Sequence, residues 1–405
     1  MIKLYEHQEQ IIKQAKPILE EFNLCYISAE TRTGKTLATI FLLKDDYEKI
    51  LIITKKKAIS SWTSDLNLSN AKNFTVTNYE SIHKLTDNDY DVIVLDEAHS
   101  IGSYPKPSKR AAQIKELAEG KRIVYLSATP SAESYSQLFH QFWISSYSPF
   151  EEKTFYKWFK EYGIPESFFM NGMRINSYKK TEEELIQEET KHLFVSMTKV
   201  KANFKVLVEE KIHQIEINQD YTNALNRFYL HRVLKIGDYD IVAETAAATL
   251  NKMHQLTGGT IKIDDDVSIV TSSHKLDYIK KNLSQDKKIV ILCNYVEERN
   301  LLLRELESST ENIEEFKNED CQFFIGHIKT FSEGVDFSYA DSMIIYSLNF
   351  SATTFLQSRE RLANKKRTEP IQVNYLFTKN SVDEKIYEAV KSKMNFTNSY
   401  YRNCI

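Results

Sequence analysis

The sequence predicts an α/β protein of two units, each a parallel sheet covered by helices, with a helical insertion between them. Three observations carry that expectation. Short apolar, β-prone runs alternate with helix-like intervals in two separate stretches of the chain. The octapeptide Ala29-Glu30-Thr31-Arg32-Thr33-Gly34-Lys35-Thr36 sits between one such run and a helix-like segment. A second run, Val92-Ile93-Val94-Leu95, closes on Asp96-Glu97-Ala98-His99. Short apolar strands separated by helices mark a parallel sheet, because parallel strands need crossover connections and are buried on both faces.

In chain order, Leu24-Cys25-Tyr26-Ile27 is the first strand-like run, and Leu37 to Leu43 suits a buried helix. Lys49 to Thr54, Val92 to Asp96 and Ile123 to Ser127 continue the alternation and define a first unit over 1–148. Residues 149–205 read differently. They carry Phe150, Phe155, Trp158, Phe159, Tyr162, Phe168 and Phe169, then a charged stretch and Lys199, Lys201 and Lys205. This segment is expected to be a helical insertion whose aromatics form a small core rather than base-stacking platforms. Its lysines suit either phosphates or a solvated face. Ile289 to Leu292, Gln322 to Ile325, Met343 to Tyr346 and Val373 to Phe377 give the strands of a second unit over 206–405. The last helix is signalled by a Ser381/Glu384 capping box, an apolar face of Val382, Ile386 and Val390, and Lys391 and Lys393 near its C-terminus.

A turn from strand to helix leaves backbone N–H groups unpaired at the helix N-terminus, where the macrodipole also favours an anion. In 29–36, Gly34 lets the backbone approach a phosphate, Lys35 can reach the β and γ phosphates, and the Thr36 hydroxyl can ligate Mg²⁺. Asp96 ends an apolar strand, the end at which open α/β sheets bind ligands. Its carboxylate therefore suits the same Mg²⁺, directly or through water. Glu97 can orient or deprotonate an attacking water. Together these residues read as the two halves of a site that hydrolyses a nucleotide.

A chain of 405 residues exceeds what one ordinary core fills, and 42% apolar with 27% charged residues is a globular composition. The net charge of −3 excludes polyanion binding by bulk electrostatics, so nucleic-acid contact must come from local basic clusters. No apolar run of about eighteen residues occurs, and Met1 to Gln8 has no signal-peptide character; a cytoplasmic protein without membrane contact is expected. Cys25, Cys293, Cys321 and Cys404 lack metal-site spacing, and the first two read as free core thiols. Richness in Lys, Asn, Ile and Tyr with only 10 Gly suits an AT-rich bacterial or viral genome.

Taken in order, these segments resemble superfamily 2 helicases and translocases, most closely the Swi/Snf-type branch and its compact phage and bacterial relatives. Leu4 with His7-Gln8 looks like the N-terminal Gln motif, which implies that Gln8 reads the adenine edge of ATP. Residues 29–36 are similar to motif I, so Thr31, Arg32, Thr33, Gly34, Lys35 and Thr36 are implied to bind ATP. Ile53-Thr54-Lys55 running on to Trp62 resembles the Swi/Snf form of motif Ia. Thr77-Asn78-Tyr79-Glu80 resembles that branch's Thr-Tyr-Glu segment, Asp96 to His99 the DEAH box, and Ser127-Ala128-Thr129-Pro130 motif III. Ile289 to Asn294 looks like motif IV, and Thr330 through Gly334, Val335 and Asp336 like motif V. Met197-Thr198-Lys199-Val200 is similar to the basic segment entering the second lobe. Gln357-Ser358-Arg359-Glu360-Arg361 resembles motif VI, with Glu360 in place of its Gly and Asn364 in place of its second Arg.

The resemblance implies two RecA-like lobes and ATP hydrolysis with Mg²⁺ held by Thr36 and Asp96. Lys35, Asp96, Glu97 and Arg361 are its implied catalytic residues. Gly334 and Asp336 would complete the nucleotide site, and Arg359 or Arg367 would supply the missing cation of motif VI. Thr54, Lys55, Thr77, Asn78, Asn294 and Thr330 fall where the family grips a phosphate backbone, and His99, Ser127 and Thr129 where it couples the two sites. The implied partner is duplex or branched DNA, bound largely without sequence preference. RNA helicase, motor subunit of a restriction or packaging complex, and non-catalytic nucleic-acid-binding partner are the alternatives.

Overall fold

Apolar runs of the first two hundred residues align as one parallel sheet. The structure, a computed structural model, describes residues 3–391 except 86–87, 132–133, 171–172, 200, 203–207, 265–266, 285, 287, 319, 332–334, 336, 352–353, 355–357, 359–361 and 363–369. The chain divides after residue 204 into two compact units.

The first unit contains β1 (Leu24–Ala29), β2 (Ile50–Thr54), β3 (Phe74–Asn78), β4 (Val92–Asp96), β5 (Arg122–Ser127), β6 (Glu166–Met170), β7 (Met173–Ser177) and β8 (Phe194–Met197). Six of these form a sheet of order β3-β2-β4-β5-β1-β8, parallel throughout. Alternation of side chains divides each strand between two cores. Tyr26, Leu51, Ile53, Ile93, Leu95 and Tyr125 face one way, and Cys25, Ile27, Ile52, Val94, Val124 and Leu126 the other. The second face is covered by α1 (Glu6–Phe22), α2 (Lys35–Leu43) and α3 (Ile59–Leu68). The first is covered by α4 (Lys109–Leu117), α5 (Ser136–Trp143) and α6 (Phe155–Tyr162), with α7 (Glu183–Thr190) beyond. Burial on both faces is why the interior strands read as unbroken apolar runs.

Residues 149–204 lie within the first unit and are mixed rather than wholly helical. They supply α6, α7, the antiparallel ribbon β6–β7, and β8, which pairs in parallel with β1. Phe150, Phe155, Trp158, Phe159 and Tyr162 do form a core, packed on Phe139 and Phe142 of α5; Phe139 and Trp158 have ring centroids 5.5 Å apart. Phe168 and Phe169 do not join it. They lie on the ribbon, 51% and 78% exposed, which corrects the expectation that all seven aromatics share one interior.

The second unit contains β9 (Val208–Ile215), the hairpins β10 (Val233–Ile236) with β11 (Tyr239–Val242) and β12 (Thr260–Lys262) with β13 (Ser268–Val270), then β14 (Ile289–Cys293), β15 (Ser309–Thr310), β16 (Phe323–His327), β17 (Ser342–Ile345) and β18 (Ile371–Thr378). Its sheet has order β15-β16-β14-β17-β18-β9, again parallel throughout. The helices are α8 (Gln219–His231), α9 (Ala246–Thr257), α10 (His274–Asn282), α11 (Val296–Glu305), α12 (Ile313–Asn318), α13 (Ile328–Phe331) and one over 382–391. Val382, Ile386 and Val390 of that last helix are buried as expected. The capping box is replaced: Ser381 Oγ accepts from Asp383 N at 3.2 Å, while the Glu384 carboxylate accepts from Gln214.

A buried polar network ties this unit together. The Lys275 ammonium donates to Asp383 Oδ2 (2.8 Å) and to the Tyr346 carbonyl (3.1 Å), and Asp383 Oδ1 accepts from Thr257 Oγ1 (2.8 Å). Burial alone would raise Asp383; Lys275 and His254 outweigh it and hold the carboxyl below its ordinary value. Glu298 behaves oppositely. Its Oε2 accepts from Asn294 N, Tyr295 N and Ser347 Oγ, while Oε1 is buried beside Gly258 without a partner among the described residues. Burial pushes its pKa from 4.5 up to about 7, against the opposing pull of the Ser347 hydrogen bond and Lys275.

Because the folded-state pKa lies above the unfolded one, Glu298 stabilises the fold fully below 4.5, and that contribution, about 3 kcal/mol, is lost as pH rises through about 7. Glu298→Gln keeps an acceptor without the charge. Thermal melting of the two proteins from about pH 5 to pH 8 should show the variant gaining on wild type as pH rises. Parallel melting curves at every pH would contradict a buried, charge-averse Glu298.

Candidate active site

At the end of β1 the chain turns through 30–34 and enters α2 with Gly34 as N-cap at φ +76°, in the left-handed region. A Cβ at this position would meet Gln8 Nε2, the end of a side chain that can move aside, so it is the left-handed dihedral that favours glycine. α2 begins at Lys35, which leaves its first-turn N–H groups without intrahelical acceptors and facing the loop. The loop is held from outside. His7 Nε2 bonds the Thr33 carbonyl (2.8 Å), Gln8 Nε2 donates to the Gly34 carbonyl (3.2 Å), and Gln8 Oε1 accepts from Tyr5 N (2.9 Å). On the other side, Glu30 N donates to the Met197 carbonyl (2.9 Å) and Glu30 Oε2 accepts from Lys199 N (2.8 Å). The Thr33 side chain is buried and donates to the Glu30 carbonyl, so its part in the loop is structural.

Asp96 sits at the carboxyl end of β4, buried. Its Oδ2 accepts from Thr54 Oγ1 (2.7 Å) and Trp62 Nε1 (2.9 Å), its Oδ1 from Glu97 N (3.1 Å), and its carbonyl from the Tyr79 hydroxyl (2.7 Å). Burial, then the adjacent Glu97, raises the Asp96 carboxyl above its ordinary value; Lys35 and the Trp62 and Thr54 donors oppose the shift. Glu97 has φ +53°, a left-handed conformation uncommon outside glycine and asparagine, and one typical of functional sites. There its Oε1 lies 3.9 Å from Lys35 Nζ and its Oε2 3.4 Å from His99 Nδ1. His99 Nδ1 also bonds Ser127 Oγ (2.9 Å), which accepts from Thr129 N (3.1 Å). The acidic pair is therefore linked through one histidine to the segment after β5.

The fold thus brings Lys35, Asp96, Glu97, His99, Ser127 and Thr129 into one hydrogen-bonded and ion-paired group. One expectation is corrected. Thr54 is fully buried with its hydroxyl committed to Asp96, because the ends of neighbouring β2 and β4 meet there; its side chain cannot grip a phosphate backbone. Gln8, expected to read a base edge, clasps the loop through Tyr5 and Gly34 in this structure. Lys55 and Thr77 are half-buried, and half-buried Asn78 accepts from Glu80 N (3.0 Å). In the second unit, Asn294 donates its N–H to Ser347 Oγ (2.7 Å), and Thr330 is exposed on α13. Gly334, Asp336, Arg359, Arg361 and Arg367 lie outside the described residues. Trp62, Tyr79, His7 and Glu30 hold the site without having been assigned a role. Trp62, Tyr79 and His7 stood in recognisable segments, and Glu30 within the octapeptide 29–36, but its bond to Lys199 N, 169 residues away, left no signal in the sequence.

The donor set fits Mg²⁺ and a triphosphate. Oδ2 of Asp96 is filled by two donors, leaving Oδ1 the oxygen with capacity for a cation or its water shell. Two adjacent carboxylates against one lysine leave negative charge for a divalent cation to offset. The left-handed Gly34 and the amides beyond it form the cradle a phosphate needs. Phosphate loop and acidic pair at the strand ends of one parallel sheet, followed by a second parallel-sheet unit, define an α/β protein of P-loop type.

Residues 42–132 match the family described as type III restriction enzyme, res subunit, and residues 274–366 match the helicase conserved C-terminal domain. Each unit of the chain thus carries a segment that matches one of these two domain families. A protein named "Putative ATP-dependent RNA helicase" from Acanthamoeba polyphaga mimivirus is 21% identical over 348 residues, covering 75% of this chain and 63% of its own length. The lymphoid-specific helicase of Homo sapiens is 28% identical over 153 residues, 33% of this chain and 18% of that protein. The chain therefore spans less than two thirds of either relative. Two solved structures of the Sulfolobus solfataricus SWI2/SNF2 ATPase core are similar. The one in complex with dsDNA has a TM-score of 0.44 at 17% identity, covering 100% of this chain and 94% of that one. The core domain without DNA has 0.43 at 15%, covering 98% and 90%. Among the described residues, no helix is long and apolar enough to cross a membrane.

Gly34→Ala should abolish binding of a fluorescent ATP analogue. Gln8→Ala combined with it should not restore binding, since removing the clash leaves the dihedral strain. Near-normal affinity in Gly34→Ala would mean that this loop is not the phosphate cradle.

Proposed function

We propose that this chain is an ATP hydrolase that moves along nucleic acid, duplex or branched DNA in the first place. The observation that carries the reading is the opposition of Lys35 to Glu97 beside a buried, donor-held Asp96 at the end of β4. Lys35 and the loop amides hold the β and γ phosphates, Glu97 orients the attacking water and takes its proton, and Asp96 with Thr36 holds the cation. When bound, Mg²⁺ neutralises charge on the phosphate oxygens. Arg361 is the candidate for the arginine that offsets charge developing on the transferred group, with Arg359 and Arg367 as substitutes. The hydrogen bonds of Trp62 and Tyr79 to Asp96 give both residues a reason to stand where the Swi/Snf-type segments have them, which supports the DNA-translocating branch.

The mimivirus relative's name favours a second reading, an RNA helicase, and the first family's description a motor subunit of a restriction complex. Lys55, Thr77, Asn78, Asn294 and Thr330 remain the proposed contacts to a nucleic-acid backbone.

Lys35→Ala should weaken ATP binding and turnover together, whereas Glu97→Gln should still bind ATP and lose about a hundredfold or more in turnover. Wild-type turnover in Glu97→Gln would remove the base from the mechanism. Steady-state ATPase assays with single-stranded, duplex, forked and four-way DNA and with RNA decide the partner. DNA should raise the rate, with affinity falling steeply as salt increases. A rate indifferent to every nucleic acid would end the motor reading, and stimulation by RNA alone would favour the second.

A further inference from the structure

One short stretch of chain reaches the Asp96 carboxylate twice. Thr54 ends β2, a 3-10 turn over Lys56–Ala58 follows, closed by Ala58 N donating to the Lys55 carbonyl (2.8 Å), and Trp62 stands one turn into α3. The Thr54 hydroxyl (2.7 Å) and the Trp62 indole N–H (2.9 Å) both donate to Asp96 Oδ2, and both side chains are buried. Two donors fill the lone pairs of that oxygen, while Oδ1 accepts from the Glu97 amide (3.1 Å) and keeps capacity for more.

The last torsion of an aspartate is broad, so a carboxylate held by one donor can rock about its Cβ–Cγ bond. Donors on two different elements, β2 and α3, fix its plane. Hydrogen bonds around a metal ligand set its orientation, and losing one typically costs about 10-fold to 100-fold in metal affinity. Packing alone does not ask for tryptophan at this place. Leu66, one turn further on, shares the buried face of α3 and fills space without any polar atom. What the indole adds is an N–H, which in a core must find an acceptor, and the acceptor here is the one carboxylate whose position the site depends on.

We propose that Trp62 is a positioning residue for ATP hydrolysis: together with Thr54 it clamps Asp96 Oδ2 and so presents Oδ1 to the divalent cation. The inference rests on the ATP-hydrolase reading and deepens it, by naming two side chains that set cation affinity through Asp96. Since both halves of the clamp hold the same oxygen, their effects are coupled, and losing both costs less than the product of the single losses.

The test uses the full chain, with thermal melting to establish that each variant is folded. Trp62→Phe keeps an aromatic ring and removes the N–H; Thr54→Val removes the hydroxyl and Thr54→Ser keeps it. Binding of a fluorescent ATP analogue is measured in EDTA and across a Mg²⁺ titration. The gain in affinity that Mg²⁺ confers should shrink about tenfold in Trp62→Phe and in Thr54→Val, with affinity in EDTA unchanged and Thr54→Ser close to wild type. In turnover, the half-saturating Mg²⁺ concentration should rise by a similar factor, while the rate at saturating Mg²⁺ falls less. A spectroscopic signature needs no variant protein to fold well: of the three tryptophan indole N–H resonances, the one belonging to Trp62 should shift when Mg²⁺ joins the bound analogue. A Mg²⁺ gain in Trp62→Phe within about twofold of wild type overturns the proposal and leaves Trp62 a packing residue. An indole resonance indifferent to Mg²⁺ overturns it too, as does a wild type whose analogue binding gains nothing from Mg²⁺. A wild type that binds no analogue at all defeats the hydrolase reading itself, whereas a Mg²⁺ gain shared equally by wild type and variants defeats the clamp alone.

Discussion

A carboxylate carried to the end of a buried strand can stay there only if donors surround it, and the first unit is arranged around that requirement. Asp96 takes donors from β2 through Thr54, from α3 through Trp62 and from its own following amide, while Tyr79 secures its carbonyl. Three segments far apart in sequence therefore have to arrive together before the acidic pair has its geometry. The cost of burying the charge shows in the raised Asp96 carboxyl, which makes the pair receptive to a cation. Glu97, strained into the left-handed region, is thereby aimed at Lys35 and His99.

The interior of both sheets was legible because burial on two faces writes a distinctive run. All eight interior strands coincide with apolar runs recognisable by eye: β1, β2, β4 and β5 in one sheet, β14, β16, β17 and β18 in the other. The four edge strands, β3, β8, β9 and β15, left no such trace. Phe74-Thr75-Val76-Thr77-Asn78 and Val208-Glu209-Glu210-Lys211-Ile212 mix polar with apolar residues because an edge strand is half solvated, and β15 is two residues long. Placement at the sheet's rim, not weak propensity, hid them.

The candidate site divides the same way. Lys35, Asp96 and Glu97 were legible from local context, since loop and acidic pair each sit beside an unmistakable strand, and the superfamily assignment agrees with the family matches. Side-chain direction was not legible. Thr54 stands in a segment expected to face nucleic acid, yet the register of β2 against β4 turns its hydroxyl inward. Likewise Gln8 is near the nucleotide loop, but whether its amide meets a ligand or the loop itself depends on how α1 lies on the sheet. The split among the insertion's aromatics has a similar cause: Phe155, Trp158, Phe159 and Tyr162 share one helical face, while Phe168 and Phe169 fall on a ribbon with two wet sides.

Strand order also sets a timetable for synthesis. β1 is the first strand made, but its neighbours are β5, nearly a hundred residues later, and β8, later still. Until both emerge from the ribosome, the segment leading into the phosphate loop has bare backbone edges and unburied Tyr26 and Ile27. Such a nascent intermediate is sticky by nature, with pairing partners separated widely along the chain. The last of the two strands, Phe194–Met197, acts as the closing stave, so truncation anywhere before it leaves the nucleotide-loop strand as an open template for aggregation.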